Sequence, residues 1–396
     1  MAEKNFKPGW KIWRFDQMVT NVNVRIDNPS ESGMEHYVGL EHLDSDSLRI
    51  RRWGSPDDVE ATKLCFKKGD IIFARRRAYQ RKLGIAEFDG ICSAHAMVVR
   101  AKPEVVLPEF LPFFMQSDLF MNRAVEISVG SLSPTINWKT MAVQEFELPT
   151  IDEQKHIADL LSEIDASIAR YEDAEIAAIK AKKSFVSTQF KVSSAGNERR
   201  MVPASALCVA PITKGATPTT QLSSDSSQIP FLKIYNLTQS GSVDFTIDPT
   251  FVSVAAHQSE LGRSKVISGD ILMSIAGTMG RVSVVPVDFG EANINQAIAR
   301  FRLNDPLLRD FFFAYLTSDI AQQWLVSRAK KTAQMNLTLQ LCQDLPVPVF
   351  NSEEMQRILT PLRLIDSGLD SVINRLKQIK SLKRGIRNAI LESEYV

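Results

Sequence analysis

The sequence repeats itself once, and this duplication limits the fold more than any other feature. The segment Lys68–Phe73 (KGDIIF) returns 200 positions later as Ser268–Met273 (SGDILM). Residues 153–165 and 354–366 share a Glu, two Ile and an Asp at matching positions, 201 residues apart. Other landmarks occur between these two in the same order and at nearly the same separation. Because a repeat of this size is one structural unit, the 396 residues should form two related units.

Each half begins with short apolar runs that are rich in β-branched and aromatic residues and separated by Gly, Pro, Asn and Asp. Examples are Ile71–Phe73 and residues 96–99 in the first half, and residues 282–285 and 297–301 in the second. Such runs between turn-forming residues are typical of strands. One long helical pattern follows each set. We therefore predict an α+β fold with two pseudo-symmetric mixed-sheet domains.

A long helix is predicted from Asp152 to about Phe190, a stretch without Gly or Pro. Thr150 or Asp152 can cap its start. Apolar residues recur along it at three- and four-residue steps, which indicates one face of a helix. These residues are Ile157, Leu160, Leu161, Ile164, Ile168, Tyr171, Ile176 and Ile179.

A second long helix is predicted from Ser352 onward, with a narrower apolar stripe. Its steps alternate between four and three residues, as in a coiled-coil seam: Ile358, Leu362, Ile365, Leu369, Val372, Leu376 and Ile379. A helix of about 40 residues is ~60 Å long, and so narrow a stripe needs a partner. We predict an antiparallel coiled coil of the two long helices, in which this stripe meets Ile157, Leu161, Ile164 and Ile168. Packing inside one globular domain is the alternative.

These patterns divide the chain into four parts. The first sheet domain covers residues 1–150 and the central helix covers 151–195. The second sheet domain covers 196–350 and the distal helix covers 351–396. The segment Lys191–Asn197 is small, polar and contains Gly, so we predict that it links the two halves.

Charge and cysteine content argue against several classes of protein. The 47 basic residues nearly balance the 46 acidic ones, so affinity for nucleic acid would need local clusters. The four cysteines form no C-x-x-C pair, which argues against a zinc ribbon or a thioredoxin-like site. The sequence has neither a signal-peptide pattern nor the run of about 20 apolar residues of a membrane span. We expect a soluble, cytoplasmic protein without membrane contact.

Catalytic signatures are missing from the sequence. It has no P-loop, no dinucleotide-binding glycine motif, no H-E-x-x-H and no G-x-S-x-G, and its five histidines have no metal-ligand spacing. We therefore predict no catalytic residue and no metal ligand. Asp152–Lys155 (DEQK) could belong to a metal-dependent nuclease. However, acidic residues are favoured at any helix start, and the second copy lacks the lysine.

A basic cluster distinguishes the first half. Between Lys63 and Lys82 there are eight basic residues and a single acidic one, Asp70. Such a cluster favours phosphate binding, and arginine can also read guanine in the major groove. A solvated basic face without a ligand is the alternative. The candidate DNA-binding residues of this half are Arg75, Arg76, Arg77, Tyr79, Arg81 and Lys82.

The equivalent segment of the second half, residues 274–281, is nearly neutral and rich in hydroxyl groups and Gly. Two readers with a shared scaffold and different specificity would differ in this way. Asn293, Asn295 and Gln296 carry amides, which can pair with adenine. The candidate DNA-binding residues of this half are Lys214, Thr217, Lys233, Asn236, Ser274, Thr278 and Arg281.

Over essentially its whole length the chain resembles the specificity subunit of a type I restriction-modification system. The resemblance rests on the order domain, helix, domain, helix, and on short motifs in a fixed order. These are Tyr37–Leu43 (YVGLEHL), Gly69–Phe73 (GDIIF), Phe88–Ser93 (FDGICS), Leu148–Pro149 with Glu153–Ala158 (EQKHIA), Ile212–Pro218 (ITKGATP), Ile229–Ile234 (IPFLKI), Gly269–Leu272 (GDIL) and Gly277–Gly280 (GTMG). The second helix departs from the family pattern, because Glu354–Gln356 (EMQ) stands where Glu-Gln-Lys or Glu-Gln-Arg is usual.

The resemblance implies that each sheet domain is a target-recognition domain that reads half of a bipartite, asymmetric target in double-stranded DNA. It implies that the paired helices set the unread spacer between the halves. The subunit itself would be noncatalytic and would bind no cofactor. It would recruit two methyltransferase (modification) subunits, which bind S-adenosylmethionine and methylate adenine N6. It would also recruit restriction subunits that translocate and cleave DNA with ATP and Mg²⁺.

Two other functions stay open from the residues alone. The coiled coil could serve a protein-interaction scaffold that reads no DNA. The chain could also be a nuclease or methyltransferase that acts alone, although the missing cofactor motif argues against that reading.

Overall fold

The computed structural model describes residues 7–191, 199–219, 222–238, 240–329 and 336–392. The predicted linker Lys191–Asn197 lies outside the described residues except for Lys191. The chain divides into two compact units. Unit 1 consists of Met1–Glu172 and Ile373–Val396, and unit 2 consists of Asp173–Val372. The predicted α+β class with two sheet-rich domains is confirmed.

Unit 1 combines short strands with short helices. Its strands are β1 Lys11–Arg14, β2 Val19–Val22, β3 Arg25–Ile26, β4 Tyr37–Val38, β5 Lys63–Phe66, β6 Ile71–Phe73, β7 Leu83–Ile85, β8 Gly90–Ser93, β9 Met97–Ala101 and β10 Glu145–Leu148. Its helices are α1 Phe15–Met18, α2 Leu111–Gln116, α3 Asp118–Glu126 and α4 Trp138–Ala142, and α5 Ile151–Phe190 begins here. One four-stranded sheet has the order β2-β9-β6-β7, a second has β3-β5-β8-β4, and β1 pairs with β10.

Unit 2 is built in the same way. Its strands are β11 Met201–Pro203, β12 Thr213–Lys214, β13 Ile229–Leu232, β14 Phe251–Val252, β15 Lys265–Val266, β16 Ile271–Ser274, β17 Val282–Val284, β18 Ala292–Ile294, β19 Ile298–Phe301 and β20 Pro346–Pro348. Its helices are α6 Val254–Gln258, α7 Pro306–Leu316, α8 Asp319–Arg328 and α9 Leu339–Asp344, and α10 Ser352–Glu392 begins here. The sheets have the orders β12-β19-β16-β17 and β14-β13-β18-β15, and β11 pairs with β20.

The first sheet has the same strand order in the two units, and the second sheet repeats three of its four strands, because β3 joins at β5 in unit 1 whereas β14 joins at β13 in unit 2. In both, the GDI segment forms an inner strand, β6 or β16, between two antiparallel neighbours. In both, the second sheet contains one parallel pair, β4 with β8 and β13 with β18. The first sheet and three strands of the second therefore recur in both halves of the sequence.

The GDI strands are buried on both faces, which explains their unbroken apolar sequence. Ile71 and Phe73 pack in one core of unit 1, and Ile72, which points to the opposite face, packs in another. In unit 2, Ile271 and Met273 share one core while Leu272 lies in a second. Each strand therefore joins two hydrophobic cores.

A buried aspartate with an arginine partner stands in the turn before each of these strands. Asp70 is 0% exposed and receives two hydrogen bonds from the Arg100 guanidinium, at 2.7 and 2.9 Å. Asp270 is 1% exposed and receives two from Arg302, both at 2.7 Å. The glycine before each aspartate has a positive φ, 90° at Gly69 and 85° at residue 269, so the turn requires glycine.

Both long helices begin with a capping box. The Thr150 hydroxyl accepts from the Glu153 amide, and the Glu153 carboxylate accepts from the Thr150 amide. Asn351 and Glu354 make the same reciprocal pair at the start of α10. Each box satisfies N–H groups that a helix start leaves unpaired. The predicted starts are therefore confirmed, and α10 continues through Pro361, which lies inside the helix.

The apolar faces of the long helices enter the core of each unit. In unit 1, Ile157 and Leu161 share a core with Leu391. In unit 2, Ile358 and Leu362 share a core with Val186. The remaining residues of the predicted pairing set are buried or half-buried: Ile164, Ile168, Ile365, Leu369, Val372, Leu376 and Ile379.

The predicted stripe on α5 was too wide. Leu160, Ile176 and Ile179 are 47%, 62% and 48% exposed. Each lies one position away from a less exposed residue, and one position is a rotation of about 100° around a helix. Apolar character alone therefore did not place these side chains on the buried face. None of the described helices combines the length and the hydropathy that crossing a membrane requires.

We predict that Asp270→Asn destabilises unit 2. The substitution leaves the Arg302 guanidinium beside a neutral amide at a buried position, and breaking a buried ion pair costs about 3 kcal/mol. Denaturant unfolding followed by circular dichroism measures the loss. The exposed Asp288 is the matched control, because Asp288→Asn changes the same charge at the surface. A loss equal to that of the control would contradict a structural role for the pair.

Candidate nucleic-acid interface

The loop that joins β6 to β7 carries the predicted basic residues of unit 1. We call residues 74–82 the first reading loop. The Ala74 amide donates to the Lys82 carbonyl at 2.9 Å, which closes the base of the loop. Arg77 and Arg81 have positive φ values, 60° and 54°. Non-glycine residues rarely adopt this conformation, and it concentrates at functional sites.

A distant segment, Ser133–Thr135, braces the basic side of the loop. The Nε atoms of Arg76 and Arg77 both donate to the Ser133 hydroxyl, at 3.1 and 2.9 Å. The Arg77 amide donates to the Pro134 carbonyl at 2.7 Å. The two guanidinium groups are therefore held side by side by one hydroxyl. No local pattern predicts this contact, because Ser133 lies more than fifty residues away along the chain.

The ring of His95 lies beside the arginines of the loop. One terminal nitrogen of Arg76 lies 3.1 Å from the Nε2 atom of His95, and Arg75 donates to the carbonyl of Ala94. Burial lowers the pKa of His95, and the charges of Arg76, Arg75 and Lys63 lower it further. Burial also lowers the pKa of Arg75, with a contribution from the charge of Arg25. Several cations therefore share one patch, and an incoming anion would relieve their repulsion.

Some of the other loop residues are exposed, and others make hydrogen bonds or ion pairs within the protein. Tyr79 is 53% exposed, and Arg77 is exposed as well. Arg81 is bonded to Asp46, to the Gln116 carbonyl and to a carboxylate on α3. Lys82 donates to the Leu40 carbonyl at 3.1 Å. Arg81 and Lys82 thus hold the end of the loop.

The equivalent loop of unit 2, residues 275–281, takes a different form. We call it the second reading loop. Ser274, at its start, is buried; its hydroxyl donates to the Thr278 carbonyl and accepts from the Arg281 amide. Gly277 and Gly280 have positive φ values of 66° and 79°. Thr278 is exposed, and Arg281 donates to the Leu237 carbonyl.

The other predicted residues of unit 2 are also partly bonded. Lys214 and Thr217 are exposed. The Lys233 ammonium lies 3.8 Å from a carboxylate oxygen of Asp248. Asn236 is 0% exposed; its oxygen accepts from the Lys233 amide and its nitrogen donates to two carbonyls. Asn236 therefore shapes this surface from within.

The amides noted in the sequence serve internal bonds. Asn293 is buried and contacts the His257 ring, the Leu261 carbonyl and the Ser264 hydroxyl. The Asn295 oxygen accepts from the Ala297 amide.

Two residues of the DEQK segment make structural contacts. Glu153, the central residue of the DEQK segment, is the capping residue of α5. The neighbouring Gln154 is buried and bonded to backbone groups of Val105, Leu107 and Pro149. Among the described residues, no group of three or more His, Cys, Asp and Glu could hold a metal ion.

The chain was compared with models of known protein families. Residues 57–181 and 209–381 each match the model of the Type I restriction modification DNA specificity domain. The two matches fall on the two copies of the internal repeat.

Individual relatives cover different shares of the chain. The chain is 32% identical over 129 residues to the Type I restriction enzyme EcoBI specificity subunit of Escherichia coli, and 26% identical over 159 residues to the EcoDI subunit of the same species. It spans only 27% and 35% of those two relatives. It is 23% identical over 384 residues to the putative MjaX specificity subunit of Methanocaldococcus jannaschii, covering 89% of this chain and 85% of that one.

Solved structures agree on the fold. A chain from a study of the assembly and conformational transition of the type I R-M system matches 99% of this chain and 100% of its own length, with a TM-score of 0.55 and 20% identity. The type I system S subunit of M. genitalium matches 100% of this chain and 99% of its own length, with a TM-score of 0.52 and 14% identity.

We predict that Arg76→Gln raises the pKa of His95. The substitution removes the nearest of the three charges that oppose protonation of the ring. NMR titration of histidine-labelled protein measures the pKa. Arg123→Gln, on the exposed surface of α3, is the control and should leave His95 unchanged. An unchanged His95 pKa in Arg76→Gln would contradict the shared cationic patch.

Proposed function

The chain belongs to the Type I restriction modification DNA specificity domain family, and from this membership we propose that it is the DNA sequence-specificity subunit of a type I restriction-modification complex. It reads a bipartite, asymmetric target in double-stranded DNA, with one unit for each half. The observation that carries the proposal is the repeated topology with unlike reading loops. One scaffold presents a cationic loop in unit 1 and a neutral, glycine-containing loop in unit 2.

The exposed and half-buried members of the predicted set that reach the surface are the proposed DNA contacts. In unit 1 these are Arg75, Arg76, Arg77 and Tyr79, since a cluster of cations releases counterions from the phosphates and gives affinity. In unit 2, hydroxyl and ammonium groups suit base edges and phosphates, and we assign contact to Lys214, Thr217, Lys233, Thr278 and Arg281. Arg81, Lys82, Asn236 and Ser274 shape the loops through their internal bonds.

The long helices are proposed to form an antiparallel coiled coil that acts as a ruler. Two ion pairs support this pairing. Within unit 1, Lys383 on α10 lies 2.5 Å from Asp165 on α5. Within unit 2, Lys182 on α5 lies 2.5 Å from Asp366 on α10. A helix pair of ~60 Å can separate two readers by more than one turn of DNA, which is about 34 Å. The pseudo-symmetric sheet domains, 1–150 and 196–350, would then meet two separate half-sites.

The chain is proposed to be noncatalytic and to act through partners in the cytoplasm. Two modification subunits would supply S-adenosylmethionine and adenine-N6 methylation, and restriction subunits would supply ATP- and Mg²⁺-dependent translocation and cleavage.

Methylome sequencing tests the function directly. The host genome is sequenced for N6-methyladenine with and without this gene. We expect one bipartite motif with a fixed spacer to lose its methylation in the deletion strain. A contiguous motif, or no change, would contradict the proposal. The motif also supplies the DNA probe for the experiments below.

We predict that the double substitution Arg76→Ala with Arg77→Ala weakens binding of the complex to that probe. It should also reduce the slope of log affinity against log salt by about 2, because each lost phosphate contact removes about 0.9. Gel shifts at several salt concentrations measure both quantities. Arg123→Ala is the control. An unchanged slope would remove the first reading loop from the phosphate contacts.

We predict that a heptad inserted into both long helices lengthens the spacer by about three base pairs. Seven residues add ~10 Å and preserve the apolar stripe. The insertions belong near Ala177 in α5 and near Ser371 in α10, and the readout is the methylated motif. The control places seven residues in the exposed turn at 286–290. A spacer that does not change with the helix insertions would refute the ruler.

A further inference from the structure

The end of the first reading loop is fixed to a short helix. The guanidinium of Arg81 lies 2.6 Å from Oδ1 of Asp118, the first residue of α3. The same group donates to the carbonyl of Gln116, the last residue of α2. The loop therefore cannot move freely with respect to the start of α3.

Asp118 is held in turn by the last turns of α10. Arg384 donates to both carboxylate oxygens, at 3.2 and 3.0 Å. Asn388 donates to Oδ2 at 2.6 Å and accepts from the Asp118 amide at 3.2 Å. Burial acts to raise the pKa of Asp118, but the bond from Arg384 and the charge of Arg81 outweigh it and hold that pKa below its usual value. One carboxylate thus joins the reading loop to a long helix.

In unit 2 a short helix likewise connects the reading loop with a long helix, through different side chains. Asp319, 201 positions after Asp118, is the first residue of α8. It contacts the ammonium of Lys183 at 3.0 Å and the hydroxyl of Ser187 at 3.2 Å, both on α5. From the same α8 helix, Gln322 donates to the carbonyl of Gly280 in the second reading loop at 3.0 Å. In both units, then, a short helix connects a reading loop to the last turns of a long helix.

Helix capping does not account for the two aspartates. An acidic residue in a first turn is favourable by itself, but the cap is the preceding serine in both cases. The Ser117 hydroxyl accepts from the Phe120 amide, and the Ser318 hydroxyl accepts from the Ala321 amide. The carboxylates are therefore free for the contacts with the long helices.

We propose that Asp118 and Asp319 are positioning residues that set the angle of the reading loops and thereby the stringency of the half-site that each unit reads. This inference rests on the proposed function. Removing the contacts of one aspartate should reduce sequence discrimination in one half of the target only, because each connection lies within its own unit.

The test uses the full chain with its modification subunits in cells, and the readout is N6-methyladenine at genomic sites with one mismatch. Asp118→Ala should raise methylation at sites mismatched in one half about tenfold, since a mismatched base pair is normally worth a factor of this order or more. Asp319→Ala should do the same for the other half. Arg81→Ala, which leaves the contacts between Asp118 and α10 in place, should reproduce the effect of Asp118→Ala.

Glu126→Ala is the matched control, because Glu126 makes an exposed ion pair on the same helix as Asp118; it should change neither half. A uniform loss of methylation at matched and mismatched sites in both aspartate variants would indicate a merely structural role and overturn the inference. Unchanged stringency in Arg81→Ala would overturn it as well. Failure of the proposed function is distinguishable, because the unsubstituted protein would then produce no bipartite motif.

Discussion

The buried aspartate–arginine pair in each unit determines where the reading loops lie. Asp70 and Asp270 stand at the start of the inner strands β6 and β16, and each reading loop follows directly at the other end of that strand. A carboxylate with almost no exposure is costly unless it is paired and hydrogen-bonded. Arg100 on the neighbouring strand β9 and Arg302 directly after β19 supply that partner. The need to pair this buried carboxylate therefore constrains the start of the inner strand, and with it the position of the loop that follows the strand.

The contrast between the two loops shows how one scaffold carries two chemistries. The first loop relies on charge, with guanidinium groups held by Ser133 beside a histidine whose pKa is lowered by burial and by its cationic neighbours. The second relies on backbone shape, with positive φ at Gly277 and Gly280. In the proposed DNA complex, the charged loop would supply affinity that depends on salt, whereas close approach of the glycine-containing backbone to the bases would supply selectivity. A chain with both loops would gain most of its affinity for DNA from unit 1 and would distinguish DNA sequences with both units.

Sequence periodicity was enough for the helices and the repeat but not for the loops. Helix bounds follow from local spacing and capping, so Ser352 and the start near Asp152 could be read directly. The burial of Asn236 and Ser274 could not be predicted from the sequence, because the hydrogen-bond partners of these residues depend on how a turn folds back. The partners of the reading loops, Ser133 and Asp118, are distant along the chain and carry no motif. The predicted apolar stripe of α5 was also wrong at isoleucines such as Ile176, which lies one position off the buried face of the helix.

The proposed coiled coil of the long helices has one further requirement, which is a fixed register. An apolar stripe with heptad spacing can slide by seven residues and still meet apolar partners, so hydrophobic contact alone would allow several spacer lengths. Within unit 1, Lys383 is only 5% exposed, and burial lowers its pKa while Asp165 acts to raise it. A slide would separate this ammonium from Asp165 and leave a buried charge unpaired, which costs several kcal/mol. If the long helices act as the proposed ruler, this charged pair would give the ruler a single length, at some expense in stability.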